Sequence, residues 1–197
     1  AVGEMKAGGG RRAEEVGTAW VRHGHRVLER LATLRVPHVA ALNGHALGGG
    51  LELAGVADIR IAEEQIKIGL PETGLGMVPG WSGSQRLVKR FGAQVVRRMA
   101  LGGEIFTAHD AATLGLVDAV TTTGNAVNAA MDYAQRIATR GPAALEVVKL
   151  MIASANGEDN GTAVEALGSI LVAKTGDLKE GVASFSEKRP AQFKGEW

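Results

Sequence analysis

The chain of 197 residues contains no cysteine, so disulfide bonds, thiolate nucleophiles and cysteine-ligated metal sites are excluded. It also has no apolar run near the ~18 residues that a membrane-spanning helix needs. Basic and acidic residues nearly balance, at 22 and 21 with a formal net charge of +1. We therefore expect neither nucleic acid nor a membrane as a partner. No signal-peptide pattern opens the chain, which predicts a cytoplasmic protein.

The overall composition is typical of a folded globular protein. Hydrophobic residues make up 45% and charged residues 22% of the chain, close to the averages for such domains. The length allows one domain with a substantial core, or one domain with a small appendage. Because the chain begins at Ala1 and its first methionine is Met5, we expect a further N-terminal portion upstream.

Helix and strand patterns alternate along the first two thirds of the chain. Apolar residues recur at helical spacing from about Ala13 to Leu34, and Pro37 follows, which predicts a long amphipathic helix. Short apolar runs predict strands at 39–42, 59–62 and 66–68. Short helices are predicted at 51–56, 84–90 and 93–100. This alternation indicates an α/β fold class with parallel strand pairing.

Beyond about Val120 only helical patterns remain. Helices are predicted at 126–140, 143–155, 162–175 and 178–188, with a turn-rich linker at 157–161. The sequence therefore predicts two parts, an α/β core over residues 1–141 and a helical region over residues 142–197.

Two glutamates, Glu52 and Glu72, each lie in an apolar and glycine-rich context. Glutamate is seldom fully buried unless it is paired or functional. Apolar surroundings disfavour the charged form, which suits a carboxyl group to exchange protons near neutral pH. The glycines at 48–50 lie between a predicted strand and a predicted helix, where free backbone N–H groups stabilise a phosphate or an oxyanion. A tight packing turn is the alternative, but the adjacent Glu52 favours a site.

Three other site classes fit the sequence poorly. The glycines match neither G-x-G-x-x-G nor a P-loop, and the five histidines lack metal-ligand spacing. The stretch from Gly80 to Ser84 comes within one residue of the G-x-S-x-G nucleophile elbow. The only downstream histidine is His109, and no aspartate lies between it and Ser82, which disfavours a serine hydrolase. We expect no metal site.

Several stretches match one family pattern. Residues 43–54 read N-G-H-A-L-G-G-G-L-E-L-A, residues 58–62 read D-I-R-I-A, and residues 69–87 carry G-L-P-E, P-G and Q-R-L. Together with residues 115–118 and 180–189, they resemble the enoyl-CoA hydratase/isomerase (crotonase) superfamily. The resemblance implies a crotonase-like spiral of ββα units, followed by a C-terminal helical trimerisation region. It further implies a homotrimer or a dimer of trimers.

The resemblance also implies an activity, the hydration of trans-2-enoyl-CoA thioesters to 3-hydroxyacyl-CoA, as in fatty acid metabolism. Glu52 would help to deprotonate the water that attacks C3, Glu72 would deliver a proton to C2, and the division of roles stays open. Gly49 would supply an oxyanion N–H group. The implied substrate-binding residues are Gly48, Gly80, Trp81, Gly83, Phe185 and Lys188. CoA is part of the substrate, so no separate cofactor is expected.

Alternatives and departures remain beside this interpretation. The same fold hosts isomerases, dehalogenases and hydratase-lyases, although isomerases of the family commonly lack one glutamate. A basic run over residues 86–98 leaves open a non-catalytic RNA-binding or scaffold protein, while a solvated helix face explains it more simply.

Residues 1–5 resemble the end of the loop that gives the family's second oxyanion donor, one residue out of register, so no donor is assigned there. Trp81 and Ser82 stand where the family usually has small residues, and we hypothesise that Trp81 reshapes the acyl pocket.

Overall fold

A computed structural model describes residues 13–158 and 161–195. These residues form two compact units, one extending to Glu146 and the other beginning at Val147. The division predicted at 141/142 stays a prediction, and the stretch at 1–5 lies outside the described residues. Within them, no helix is long and apolar enough to cross a membrane.

The first unit mixes short strands and helices. Its strands are β1 (Val39–Leu42), β2 (Ala46–Leu47), β3 (Ile59–Glu63), β4 (Lys67–Gly69), β5 (Ile105–Thr107) and β6 (Ala119–Thr121). Its helices are α1 (Ala13–Ala32), α2 (Gly49–Ala54), α3 (Arg86–Phe91), α4 (Ala93–Ala100), α5 (Ala108–Thr113) and α6 (Ala126–Ala138). A 3₁₀ turn covers Glu72–Leu75. Helix α7 (Pro142–Ala155) leads into the second unit, which contains α8 (Thr162–Val172) and α9 (Gly176–Glu187).

The strands form two three-stranded sheets, ordered β1-β3-β6 and β2-β4-β5. The predicted parallel pairing is confirmed for β1 with β3, β3 with β6, and β2 with β4. It is wrong for β4 and β5, which pair antiparallel. The sequence did not predict β2, β5, β6 or α5. The three missed strands have only two or three residues each, and they lack the apolar–polar–apolar alternation that residues 66–68 show at β4.

The core of the first unit lies between the sheets and the helices that follow them. In β4 and its flanks, Ile66, Ile68 and Leu70 are fully buried while Lys67 is exposed, as expected for a strand with one face on the core. Leu51 of α2 and Leu87 of α3 pack into the same cluster. Burying one such side chain contributes ~1.5–3 kcal/mol. This packing fixes the chain beside Glu52 and just before Glu72.

A buried arginine joins two of the family-like motifs. Arg60 is only 6% exposed. Its guanidinium donates to the carbonyl oxygens of Ala57 and Leu116 at 2.7 and 2.9 Å, and it lies 3.1 Å from Asp118 Oδ2. The backbone N–H of Arg60 also donates to that carboxylate, at 2.7 Å. Arg60 therefore acts as a structural cross-link between β3 and the approach to β6.

The second unit is helical, as predicted. The side chain of Thr175 accepts the N–H of Leu178 at 3.2 Å and caps the start of α9. Lys188, with φ 54°, ends that helix in the left-handed region.

Candidate active site

A left-handed glycine places Glu52 in the core. Gly48 has φ 56°, and its N–H donates to the carbonyl of Gly69 at 2.9 Å, which extends the pairing of β2 with β4. The Gly48 carbonyl in turn accepts the N–H groups of Leu51 and Glu52, at 2.9 and 3.0 Å. Helix α2 therefore begins at Gly49 with a fixed direction. The Glu52 side chain points inward as a result and is only 2% exposed.

Two backbone N–H groups hold the Glu52 carboxylate. Trp81 and Gly83 both donate to Oε1, each at 2.7 Å; we refer to these two donors as the N–H clamp. Burial raises the pKa of the Glu52 carboxyl, the clamp lowers it in part, and the negative charge of Glu72 raises it again. The net shift is upward, so this carboxyl group holds a proton more readily than an ordinary glutamate does.

Glu72 begins the 3₁₀ turn that follows β4 and is half-buried. Burial raises the pKa of its carboxyl group as well. Within the described residues, its buried Oε2 atom has no hydrogen-bond partner. An unpaired buried oxygen is costly as a carboxylate and less so as a protonated acid. Glu72 is thus suited to donate a proton to a bound molecule.

The two carboxylates flank consecutive glycines. A Cβ atom at Gly48 would lie 2.9 Å from Glu72 Oε1, and one at Gly49 would lie 4.0 Å from Glu52 Oε2. Gly49 is the first residue of α2, where an N–H has no acceptor within the helix. No acceptor for this N–H lies among the described residues either. The site therefore combines two carboxyl groups of raised pKa with a free backbone donor.

Aromatic side chains form one wall of the site. The Trp81 ring would lie 3.3 Å from a Cβ atom at Gly49, and a Cβ atom at Gly80 would lie 3.1 Å from the Trp20 ring. The two indoles pack at a centroid distance of 4.6 Å with a 38° tilt. Gly24 of α1 contacts the Trp81 indole so closely that no side chain fits there.

Sequence reasoning missed a serine–histidine contact in the same loop. Ser82 Oγ lies 3.1 Å from Nδ1 of His25, which is on α1. His109 is the only histidine downstream of Ser82, whereas the imidazole that contacts it comes from 57 positions upstream. Contacts between positions so far apart leave no local pattern in a single sequence.

Not every predicted site residue belongs to this arrangement. Phe185 and Lys188 are both exposed and lie in the second unit, at and just after the end of α9. A role for them beside Glu52 stays a prediction. Over the described part of the chain, no three histidine, aspartate or glutamate side chains are grouped to hold a metal ion.

A buried carboxylate fixed by backbone donors, a second carboxyl group with a raised pKa and a free N–H form a candidate acid–base site on an α/β fold. A family model described as enoyl-CoA hydratase/isomerase matches residues 4–196. The chain belongs to this family.

Two curated relatives and one solved structure illustrate the similarity. Methylglutaconyl-CoA hydratase of Mus musculus is 37% identical over 86% of this chain, and 2,3-dehydroadipyl-CoA hydratase of Escherichia coli is 38% identical over 84%. The chain spans 56% and 66% of those two proteins, less than two thirds of each. An enoyl-CoA hydratase structure from Bacillus anthracis matches with a TM-score of 0.72 and 35% identity, over 95% of this chain and 73% of that one. The predicted crotonase-like fold with a C-terminal helical region is confirmed.

Proposed function

We propose that the protein hydrates α,β-unsaturated acyl-CoA thioesters to 3-hydroxyacyl-CoA. The observation that carries this proposal is the placement of Glu52 and Glu72 against the adjacent glycines 48 and 49, with the pKa of both carboxyl groups raised by burial. Addition of water to a conjugated thioester needs a base for the water, an acid for the α-carbon and a donor for the enolate oxygen. This site offers a candidate for each.

In the proposed reaction, the thioester oxygen accepts the free N–H of Gly49, which stabilises the enolate as negative charge develops. Glu52 is fixed through Oε1, and its Oε2 on the Gly49 side accepts a proton from water as the water oxygen bonds to C3. Glu72 delivers a proton to C2. The sum is one water added across the double bond, and proton exchange with solvent then deprotonates Glu52 and reprotonates Glu72. No separate cofactor takes part.

The remaining predicted residues would position the substrate. Gly48, Gly80 and Gly83 leave room for the backbone to approach the acyl group, and Trp81 bounds it on one side. Phe185 and Lys188 would contact the CoA nucleotide, with the lysine ammonium as a partner for phosphate. Both side chains are exposed in the second unit, as such contacts require.

We further propose that the chain assembles as a homotrimer or a dimer of trimers. The second unit exposes many large apolar side chains, more than a monomer's surface usually carries in one region. These include Met151, Ile152, Val164, Ile170, Leu171, Val172, Val182 and Phe185. Light scattering coupled to size exclusion measures the assembly, and a monomer at micromolar concentration would contradict this proposal.

Ultraviolet absorbance of the conjugated enoyl thioester tests the activity, with crotonoyl-CoA as the substrate. We expect the absorbance to fall with the parent protein. Glu52→Gln and Glu72→Gln should each slow it by ~10²–10⁴-fold, the usual contribution of general acid–base catalysis. The exposed Glu165 provides the control, and Glu165→Gln should match the parent.

The product decides between hydration and the rival functions. A mass increase of one water supports a hydratase. A shifted double bond with no mass change indicates an isomerase of the same fold. Salt-dependent RNA binding without turnover indicates the non-catalytic protein. Parent-like rates in both glutamine variants would contradict the two-glutamate mechanism.

A further inference from the structure

Ser82 has an unusual backbone conformation for its residue type. In the described part of the chain, the non-glycine residues with positive φ are Ser82, at 84°, and Lys188. Lys188 ends a helix, where this conformation is common. Ser82 instead lies buried within the loop before α3, at 9% exposure. Residues other than glycine rarely adopt a positive φ, so contacts with the surrounding structure must maintain it at Ser82.

The conformation of Ser82 accounts for the geometry of the N–H clamp. The donors on its two sides, Trp81 N–H and Gly83 N–H, converge on one oxygen of Glu52 at 2.7 Å each. Backbone N–H groups converge in this way when a left-handed residue turns the chain between them. With an extended backbone at Ser82, the two donors would diverge and at least one would leave the carboxylate.

Helix α1 supplies a contact that maintains this conformation. His25 Nδ1 lies 3.1 Å from Ser82 Oγ, and the preceding Gly24 contacts the Trp81 indole. On the other side, the Ser82 carbonyl accepts the N–H groups of Gln85 and Arg86 at the start of α3, at 3.1 and 2.9 Å. The loop is therefore held at both ends, and the imidazole provides the side-chain hydrogen bond to Ser82.

We propose that His25 and Ser82 are positioning residues for Glu52, whose hydrogen-bonded contact keeps the N–H clamp closed on the carboxylate. The proposal rests on the function proposed above, because it assigns Glu52 a role in proton transfer. Neither residue touches the substrate in this scheme. They act through the backbone of residues 81 and 83, and the clamp in turn fixes the direction of the Glu52 Oε2 atom.

A serine nucleophile activated by His25 is the competing explanation. It would need an oxyanion donor beside Ser82. The two N–H groups that flank Ser82 already donate to Glu52, and the Ser82 carbonyl is used at the start of α3. The geometry therefore favours positioning over nucleophilic attack.

Four variants separate the two explanations. Ser82→Ala removes the hydroxyl group and keeps a residue that resists positive φ, so the clamp should open. Ser82→Gly also removes the hydroxyl group, but glycine adopts positive φ freely, so the clamp should stay closed. His25→Leu removes the hydrogen bond, and His25→Asn offers a side-chain amide near the position of Nδ1. His23→Leu, at an exposed position of the same helix, is the matched control.

We expect Ser82→Ala and His25→Leu to lower kcat by about ten- to a hundredfold, the range for a catalytic group moved by up to ~1 Å. KM should change by less than about twofold, since these residues do not bind the substrate. Ser82→Gly and His25→Asn should recover most of the rate. An equal loss of kcat in Ser82→Gly and Ser82→Ala would overturn the proposal. Detection of an acyl adduct on Ser82 by mass spectrometry would also overturn it.

A titration of Glu52 tests the clamp without any activity. In ¹³C-glutamate-labelled protein, the carboxyl resonance that Glu52→Gln removes reports the pKa of this group. Because the clamp stabilises the carboxylate, opening it in Ser82→Ala and His25→Leu should raise the pKa of Glu52, while Ser82→Gly and His23→Leu should leave it near that of the parent. The same pKa in all variants would overturn the positioning role. The titration gives a result even if the parent hydrates no enoyl-CoA. Failure of the positioning proposal can therefore be distinguished from failure of the proposed function.

Discussion

The backbone N–H of Gly83 donates to Oε1 of Glu52 over 2.7 Å, although 31 positions separate the two residues. A Cβ atom at position 83 would lie 2.8 Å from this oxygen and 2.7 Å from the Cβ atom of Pro79. Both distances are too short for a real side chain. Position 83 therefore requires glycine for space, and the carboxylate owes its placement to that space.

Gly83→Ala should accordingly impair the site. The added methyl group pushes Glu52 or the loop aside, so we expect kcat to fall at least about tenfold. The free energy of unfolding should fall by ~1–3 kcal/mol, as is usual for overpacking. Steady-state kinetics and urea denaturation measure the two effects.

Gly74→Ala is the control for this variant. Gly74 lies on the same 3₁₀ turn as Glu72, and a Cβ atom there would contact nothing within 4 Å. It should therefore change neither rate nor stability appreciably. If Gly83→Ala behaved like Gly74→Ala, the close packing of Gly83 against Glu52 would be wrong.

Burial of Glu52 predicts a pH-dependent cost in stability. The folded protein raises the pKa of this carboxyl group, so it holds the proton more tightly than the unfolded chain does. Stability is then lost as the pH rises from the ordinary glutamate value through the raised one. The glutamine side chain of Glu52→Gln does not titrate, and its amide oxygen can still accept the hydrogen bonds of the N–H clamp.

We therefore expect Glu52→Gln to have a higher Tm than the parent at pH 8. A gain of ~2–4 °C corresponds to about 1 kcal/mol in a chain of this length. The difference should shrink as the pH falls toward 4.5, because the unfolded chain then also takes up the proton that the folded parent already holds. Thermal melts from pH 4.5 to 8 measure it. A difference that grew toward low pH would contradict the upward pKa shift.

The sequence anticipated the candidate acid–base pair but not the contacts that hold it. Glycines beside Glu52 and Glu72 are local features, so both residues could be singled out from neighbours along the chain. The N–H clamp and the contact of His25 with Ser82 join positions 29 to 57 apart. Such contacts depend on how α1 and the loop before α3 pack together, and no local pattern encodes that packing.

Secondary structure shows the same limit. The long helix α1 has enough residues for its periodicity to be visible, and the strand β3 is visible as a short apolar run. Strand β5 has three residues, and its antiparallel pairing with β4 follows from tertiary packing. Arg60 was noticed only as a letter of a family-like motif, because a sequence does not show that a cation is buried beside its partners.

Arg60 should be a determinant of stability rather than of activity. Removing its guanidinium takes the ion-pair partner from Asp118 and one donor from each of the Ala57 and Leu116 carbonyl groups, although Asp118 keeps the backbone N–H of residue 60 and the Ala57 carbonyl keeps Arg90. Removing one partner of a buried ion pair costs ~3–5 kcal/mol of folding stability. Because the Asp118 side chain is partly exposed, at 35%, we expect the loss for Arg60→Met to lie near the lower end of this range. Urea denaturation measures this loss, while kcat of the folded fraction should stay near that of the parent.

Arg22→Met provides the comparison for Arg60→Met, since Arg22 is exposed on α1. Its free energy of unfolding should match the parent within about 0.5 kcal/mol. A similarly small loss for Arg60→Met would show that the buried cross-link contributes little to the fold.

Trp81 should set the size of the acyl group that the site accepts. Its ring would lie 3.3 Å from a Cβ atom at Gly49 and packs against Trp20 at 4.6 Å, so it occupies space beside the proposed oxyanion donor. In Trp81→Ala, we expect kcat/KM for an eight-carbon enoyl-CoA to rise relative to that for crotonoyl-CoA. We expect this ratio to rise by ~10-fold or more, because one methylene group in an apolar pocket is worth ~10–200-fold in specificity.

The backbone N–H of residue 81 remains in Trp81→Ala, so the clamp on Glu52 is retained. The rate with crotonoyl-CoA should therefore change less than the ratio of kcat/KM between the two substrates. An unchanged ratio between the two substrates would mean that Trp81 supports the loop without bounding the acyl group.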